Sequence, residues 1–174
     1  MRRPGIPIPI LDPPWPEAAK IAVISSHAAS PGWLRLAHEV AAAAQPGGHS
    51  FPLAERPAGR DITEPGRTAF LYRHADGVCG YLCLASQLVT GYRSFSAGYR
   101  RARDTERVNR PCILVAWVYP QRRRHGVARE LVEAAARHAG ITPSGQAWAE
   151  PFADSGYLLA HSVAPDGLWI TDYG

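Results

Sequence analysis

An apolar run that leads into a basic loop is the feature that most constrains how this chain can fold. The run extends from Cys112 to Tyr119 and is apolar on both alternating faces, which is typical of a strand covered on both sides of a sheet. After Pro120 come a glutamine, three arginines and a histidine. A helical repeat of apolar residues then runs from Val127 to Gly140, a residue suited to ending a helix. The segment therefore predicts a central strand, a basic loop and a helix.

The residues that follow predict a second, parallel strand. Pro143 and Ser144-Gly145 indicate a turn, and the next strand is predicted over residues 146–149, joined by a right-handed crossover. The N-terminus of the intervening helix offers free amides and the positive end of a dipole to an anion, and small residues at Gly126 and Ala128 allow close approach. Neither the Walker pattern nor the G-x-G-x-x-G fingerprint is present. We therefore expect a phosphate cradle of another type.

The rest of the chain reads as alternating elements of one domain. With 174 residues, the chain is close to the size of about 150 residues typical of a single domain. Six of its 16 prolines lie between positions 4 and 16, which excludes a regular helix there and predicts an extended arm over residues 1–19 and a folded domain over residues 20–174. The other expected elements are a strand Ile21–Ile24, a helix from Ser30-Pro31 to Pro46, a loop His49–Arg67, a hairpin of Thr68–Tyr72 and Val78–Val89 turning at Asp76-Gly77, a helix Ser155–Val163 and a strand Leu168–Thr171.

Cysteine content and hydropathy favour a soluble, cytoplasmic protein. The longest uncharged stretches are shorter than the ~18 apolar residues of a membrane span, and no export signal is visible. The three cysteines form no disulfide framework. Cys79 and Cys83 are expected on one face of an extended segment, as buried thiols. We expect no metal site, since His74 with these two cysteines does not match a zinc spacing.

Positive charge is concentrated in about a fifth of the chain. The formal net charge is +4, but the region from Arg93 to Arg129 holds ten arginines against two acidic residues. Such a region implies an anionic partner, either a nucleic-acid backbone or a phosphorylated small molecule. Composition does not separate these two, and a merely solvated charged face is a third reading.

The basic loop resembles a known family. The pattern Arg123-x-x-Gly126-x-Ala128, placed between a buried strand and a helix, is similar to the Q/R-x-x-G-x-G/A acyl-CoA loop of the GNAT superfamily of N-acetyltransferases. Residues 148–156 resemble the acidic-proline stretch of its cohesin-acetyltransferase branch, and the similarity covers residues 112–163. The resemblance implies a mixed α/β sheet, splayed at its fourth and fifth strands, with helices on both faces. It also implies transfer of an acetyl group from acetyl-CoA to a primary amine, by direct attack in a ternary complex.

The resemblance assigns a cofactor site to the strand end and the loop. Backbone amides from Arg124 to Ala128 would hold the CoA pyrophosphate, the strand edge from Trp117 to Tyr119 would pair with the pantetheine arm, and Arg122, Arg124 or Arg129 would reach the 3′-phosphate. The cofactor-binding residues are thus Trp117, Val118, Tyr119, Arg123, Arg124, His125, Gly126, Val127, Ala128 and Arg129.

Two catalytic residues are candidates by the same resemblance. The central strand carries no carboxylate, a departure from the family pattern, and Glu150 is the substitute base, with a structural carboxylate as the alternative. Tyr157, early in the following helix, is the candidate acid, with core packing as the alternative. Asp154 reads as the N-cap of that helix.

Two other functions stay open. A degenerate module that binds acyl-CoA without transfer is compatible with the missing carboxylate, and a basic nucleic-acid-binding protein is compatible with the arginine cluster. The acceptor amine, a small molecule or a protein lysine, is not encoded in any motif. A homodimer, frequent in this family, is neither favoured nor opposed by the sequence.

Overall fold

The computed structural model describes residues 5–44, 65–75, 77–92, 107–149 and 154–171, which form a seven-stranded mixed sheet with α-helices. The elements are β1 (Ile6–Pro7), β2 (Ile21–Ser25), α1 (Pro31–Ala44), β3 (Thr68–His74), β4 (Gly77–Tyr92), β5 (Val108–Val118), α2 (Val127–Ala139), β6 (Ala147–Trp148), α3 (Asp154–Val163) and β7 (Leu168–Thr171). Short 3-10 turns precede α2 and β6, at Pro120–Arg122 and Pro143–Gly145. This is the mixed α/β architecture that the sequence predicts.

The strands follow the order β2-β3-β4-β5-β6-β7, and β1 pairs with the start of β4. Neighbours from β2 to β5 are antiparallel, whereas β6 is parallel to both β5 and β7. The far end of β4, Val89–Tyr92, also pairs with β7. β4 is hydrogen-bonded to β5 along its middle and to β7 at its end. Since β6 joins β5 to β7, the four strands from β4 to β7 form a closed ring of neighbours at the end of the sheet away from α2.

Helices cover both faces of the sheet, as predicted. On one side, called the α1 face, the buried side chains of α1 pack on the sheet; Leu36, Ala37 and Val40 are fully buried. On the opposite side, called the α2 face, α2 and α3 pack over Phe70 and Leu82. Each helix buries only one stripe because its apolar residues recur at helical spacing.

The proline-rich segment is extended and packs into the α1 face. Leu11 and Trp15 are each only 7% exposed. Proline lacks an amide hydrogen, but its carbonyl accepts hydrogen bonds, and the indole nitrogen of Trp33 donates to Pro13 O at 2.8 Å. The Arg73 guanidinium lies over the Trp15 ring, 5.5 Å from its centroid. It also donates to the backbone carbonyls of the two residues that follow Trp15 in the chain. Side chains of the domain therefore hold the segment in place.

A β-bulge makes the expectation for the cysteines wrong. Tyr72 pairs with Gly80 and Arg73 with Val78, so Cys79 is an extra residue on β4. The bulge changes the alternation of side chains, and Cys79 lies on the α2 face while Cys83 lies on the α1 face. Both thiols are buried and free, as expected.

Two strands are longer than the sequence indicates. β4 continues to Tyr92, and β5 begins at Val108 and includes Pro111, opposite Ser86. Within β5, β6 pairs only with Cys112 and Ile113, so Pro111 lies just beyond the part of β5 that is paired on both sides. The predicted loop and the arginines between positions 93 and 103 fall largely or wholly outside the described residues.

Gly80 sets how closely α2 approaches the sheet. A Cβ at this position would lie 2.7 Å from Val127 Cγ1 and 3.0 Å from Leu131 Cδ1. We predict that Gly80→Ala lowers the free energy of unfolding by about 1–3 kcal/mol, because α2 must shift outward. Gly32→Ala is the matched control, since its Cβ meets only Leu11 Cδ2 at 3.8 Å and glycine is unfavourable inside a helix. Urea unfolding checks both variants; a Gly80→Ala protein as stable as wild type would contradict this packing.

Candidate functional site

The N-terminus of α2 begins at a glycine in the left-handed region. Gly126 has φ 82° and ψ −7°, and no side chain caps the helix. The first amides of a helix have no intrahelical acceptor, so they are available to an external one. A Cβ at Gly126 would meet nothing within 4 Å, which shows open space above this turn. The start of α2 therefore presents backbone donors to open space, at the place where the sequence predicts a phosphate cradle.

The basic loop, residues 119–126, is folded back on the end of β5. The Tyr119 amide donates to Cys79 O at 2.8 Å, and the Arg123 side chain donates from Nε to Val118 O at 3.2 Å. His125 Nδ1 lies 2.7 Å from Arg123 O. These bonds hold the loop against β4 and β5. Arg123, which the sequence predicts to bind the cofactor, therefore also holds the loop in place through its side chain.

The arginines of the basic region divide into separate groups. Arg123, Arg124 and Arg129 are exposed beside the start of α2, and Arg129 also pairs with Glu133 at 3.5 Å. Arg110 instead lies with its guanidinium carbon 3.9 Å from the Trp169 ring centroid and donates to a turn carbonyl. Arg110 therefore fixes β5 to β7 and is occupied in a structural contact. Among the arginines in the described ranges, the group around α2 is the one at the predicted cradle.

The edge of β5 is unpaired where it approaches the loop. β6 bonds to β5 only at Cys112 and Ile113, and the Ala149 amide donates to Ile113 O at 3.0 Å. From Val115 to Val118, β5 is paired with β4 on one side and with no described strand on the other. This confirms the predicted splay: the fourth and fifth strands of the prediction are β5 and β6, because the short β1 was not predicted.

A second β-bulge lies where the splay begins. Cys83 pairs with Val115 and Leu84 with Ile113, so Leu114 is an extra residue on β5. Leu114 and Val115 both face α1 as a result. Bulges increase local twist and end pairing, which accounts for the divergence of β5 from β6.

The predicted strand-edge residues are brought next to the loop. Trp117, 8% exposed, lies on the α1 face and meets the Tyr119 ring edge-on at 5.9 Å. Val118 packs toward the α2 face. The unpaired edge is thus flanked by aromatic surface on the α1 side and by aliphatic surface on the α2 side.

A contact that sequence reasoning missed anchors α2 to the sheet. The Tyr72 hydroxyl donates to Glu130 Oε1 at 3.2 Å, and Lys20 Nζ lies 3.7 Å from Glu130 Oε2. Burial and the Glu130 charge raise the pKa of Tyr72, so its phenol stays protonated and keeps donating. The spacing of these residues in the chain gives no signal of this contact, whereas the glycine within the β4 pattern at position 80 does indicate a close approach.

The remaining candidate residues have different outcomes. On β5 itself, Cys112 is fully buried, and burial raises the pKa of its thiol to about 12, so the thiol stays protonated. Tyr157 lies in the first turn of α3, partly buried against the α2-face core, and stacks on His161 with 6.5 Å between ring centroids. Glu150 lies outside the described residues. Among the residues that are described, no group of histidines, cysteines and carboxylates could hold a metal ion.

Solved structures with the same fold are acetyltransferases. The xEco2 acetyltransferase domain, solved with a CoA conjugate, superposes with a TM-score of 0.65 at 17% identity over 88% of this chain and 92% of that one. The ribosomal-protein-alanine N-acetyltransferase of Brucella melitensis gives 0.50 at 16% identity over 83% and 89%. An aminoglycoside 6′-N-acetyltransferase of Acinetobacter haemolyticus gives 0.52 at 15% identity over 84% and 89%. The chain therefore has the GNAT acetyltransferase fold.

Sequence comparison adds no nearer relative. No family model matches the chain, and no curated protein matches it. No helix in the described ranges is long and apolar enough to cross a membrane.

Proposed function

We propose that this protein is an N-acetyltransferase that transfers an acetyl group from acetyl-CoA to a primary amine. The observation that carries the proposal is the uncapped start of α2 at Gly126, which lies beside the unpaired edge of β5 in a chain with the GNAT fold. Backbone donors that accept a phosphate and a strand edge that accepts an amide-bearing arm are the two features CoA requires.

In this proposal each part of CoA has its own partner. The pyrophosphate is held by backbone amides from Arg124 to Ala128, and the two amides of pantetheine pair with β5 from Trp117 to Tyr119. Arg122, Arg124 and Arg129 supply charge for the 3′-phosphate. The CoA conjugate in the xEco2 domain supports acyl-CoA as the ligand class.

The chemistry is direct transfer without an enzyme-bound intermediate. The acceptor ammonium first loses a proton to Glu150, directly or through water. The amine nitrogen then attacks the thioester carbonyl carbon, an amide bond forms, and the carbon–sulfur bond breaks. Tyr157 gives its proton to the departing CoA sulfur, and the second proton, which the nitrogen loses as the amide forms, returns to Tyr157 through water. These two roles are part of the proposal, and each has its own test.

For Tyr157, we predict that Tyr157→Phe lowers kcat about 10- to 100-fold, while KM for acetyl-CoA changes less than about twofold. The effect is moderate because a thiolate, with a pKa of ~8.5, leaves readily even without an acid. Steady-state kinetics by thiol release measures it. Leu158→Ala is the control on the same helix, since Leu158 is 67% exposed, and it should keep the full rate. An unchanged kcat in Tyr157→Phe assigns this ring to packing.

A second candidate function is binding of acyl-CoA without transfer. It is favoured by one observation, that β5 carries no carboxylate. Turnover separates the two functions: wild-type protein is incubated with acetyl-CoA and a panel of small amines and lysine peptides, and CoA release is followed. Release above the protein-free rate with any amine excludes the non-catalytic module. A nucleic-acid-binding protein would instead bind DNA or RNA with steep salt dependence and ignore CoA.

The acceptor stays open between a small molecule and a protein amine. The two bacterial neighbours are named for different acceptors, a ribosomal-protein alanine and an aminoglycoside. The fold is therefore compatible with both classes. We propose a cytoplasmic enzyme that needs no metal, and a homodimer is compatible with it.

A further inference from the structure

We propose that the proline-rich segment, residues 5–16, positions the basic loop for CoA, and that Gly5 is the residue that allows it to do so. β1 occupies the edge of β4 along which the chain would otherwise continue after β5, and so directs the loop toward the start of α2. The inference rests on the proposed function, because the loop is there assigned to the CoA phosphates. The segment predicted as an arm thereby gains a role in binding the donor.

The register of the sheet places β1 in line with β5. Both β3 and β1 pair with Val78 and Gly77 of β4. A strand has two edges, so β1 lies on the edge of β4 opposite β3, which is the edge that β5 uses further along. The last backbone bond on the β5 side runs from the Tyr119 amide to Cys79 O, at 2.8 Å. β1 therefore takes over from β5 between Cys79 and Val78.

This changeover makes the chain leave the sheet after Tyr119. The two residues of β4 that precede Cys79 are paired with β3 on one side and with β1 on the other, so they offer no edge to the residues that follow β5. Pro120 has no amide hydrogen to donate to β4 and begins the 3-10 turn that follows. The loop therefore turns away from the sheet toward Gly126 instead of extending along β4.

The absence of a side chain at Gly5 lets β1 lie against β4. A Cβ at Gly5 would lie 2.6 Å from Val78 O and 3.0 Å from the Val78 carbonyl carbon, closer than non-bonded atoms pack. Both atoms belong to the backbone of β4, so they cannot rotate aside as the end of a side chain would. Any other residue at position 5 should therefore push β1 off this edge.

The later part of the segment is held by contacts that do not involve β1. The Ser30 hydroxyl donates to Asp12 O at 2.6 Å. The Trp33 indole nitrogen donates to Pro13 O at 2.8 Å. Both donors belong to α1 or to the residue before it, far along the chain from β4. A substitution at Gly5 should thus release β1 while the rest of the segment stays packed on α1.

Calorimetric titration of the full chain carrying Gly5→Val with acetyl-CoA tests the inference. We expect a Kd about tenfold higher than that of the wild type, which corresponds to a loop directed toward α2 in about a tenth of the unliganded molecules. Amide NMR of the unliganded variant should show shifts from Tyr119 to Gly126 and none in the last turn of α2. Gly5→Ala, which adds the Cβ alone, should shift the same loop amides.

Leu11→Ala is the matched control within the segment. Leu11 is buried in the α1-face core, so its truncation lowers stability but leaves the edge of β4 covered, and the variant should keep the wild-type Kd. Wild-type affinity in Gly5→Val, unshifted loop amides in the Gly5 variants, or an equal loss of affinity in Leu11→Ala overturns the inference alone. No binding of acetyl-CoA by the wild-type protein overturns the proposed function, and the inference with it.

Discussion

The Gly126→Glu variant should bind acetyl-CoA at least ~100-fold more weakly than the wild-type protein. The new carboxylate would stand where the pyrophosphate is proposed to lie, so its charge repels the ligand and competes for the same amides. The side chain enters open space, since nothing lies within 4 Å of its Cβ, and the φ of 82° adds about 1–2 kcal/mol of backbone strain.

The matched control is Gly140→Glu at the opposite end of α2. Gly140 has φ 69°, and a Cβ at this position would also have nothing within 4 Å, so the same residue meets the same strain away from the loop. Calorimetry with acetyl-CoA should show wild-type affinity for this control. Equal loss in both variants would mean that the helix is damaged, and wild-type affinity in Gly126→Glu would place the ligand elsewhere.

The Glu150→Gln variant should lose turnover by about 100-fold or more at neutral pH, with unchanged affinity for acetyl-CoA. Glutamine keeps the size of the side chain and cannot accept the proton of the acceptor ammonium. In the sequence Glu150 directly follows Ala149, whose amide is bonded to Ile113 O where β5 and β6 diverge.

The pH profile separates a lost base from a lost contact. An amine with the pKa of a lysine, ~10.4, increasingly deprotonates itself as the pH rises, so kcat/KM of Glu150→Gln should recover toward pH 9–10. Glu39→Gln, on the exposed side of α1, is the control and should match the wild type. Full turnover of Glu150→Gln at pH 7 would reject Glu150 as the base.

The strand, loop and helix around Gly126 can be predicted because their signals are local. A two-sided apolar run, a glycine at the start of the helix and Gly140 at its end each act within a few residues, and α2 spans Val127–Ala139 as expected. The sequence likewise predicts the strand Leu168–Thr171 with its observed bounds. The residues that start and end such elements are close together in the sequence, so the sequence alone indicates their bounds.

The features that open the site cannot be predicted in this way because they arise between distant segments. The bulge at Leu114 depends on the register of β4 against β5, and the contact between Tyr72 and Glu130 joins residues 58 positions apart. Arg110 counts as free positive charge in the sequence, but packing places it over Trp169. Charge, spacing and alternation do not encode such partners.

The most direct test of the account is an amide-resolved NMR titration of the wild-type protein with acetyl-CoA. The largest shifts should fall on the amides from Arg124 to Arg129 and on β5 from Val115 to Val118, with little change at the far end of α2. Binding that shifts other amides and leaves these unchanged would contradict the proposed site. The absence of any shift at saturating acetyl-CoA would contradict the proposed function.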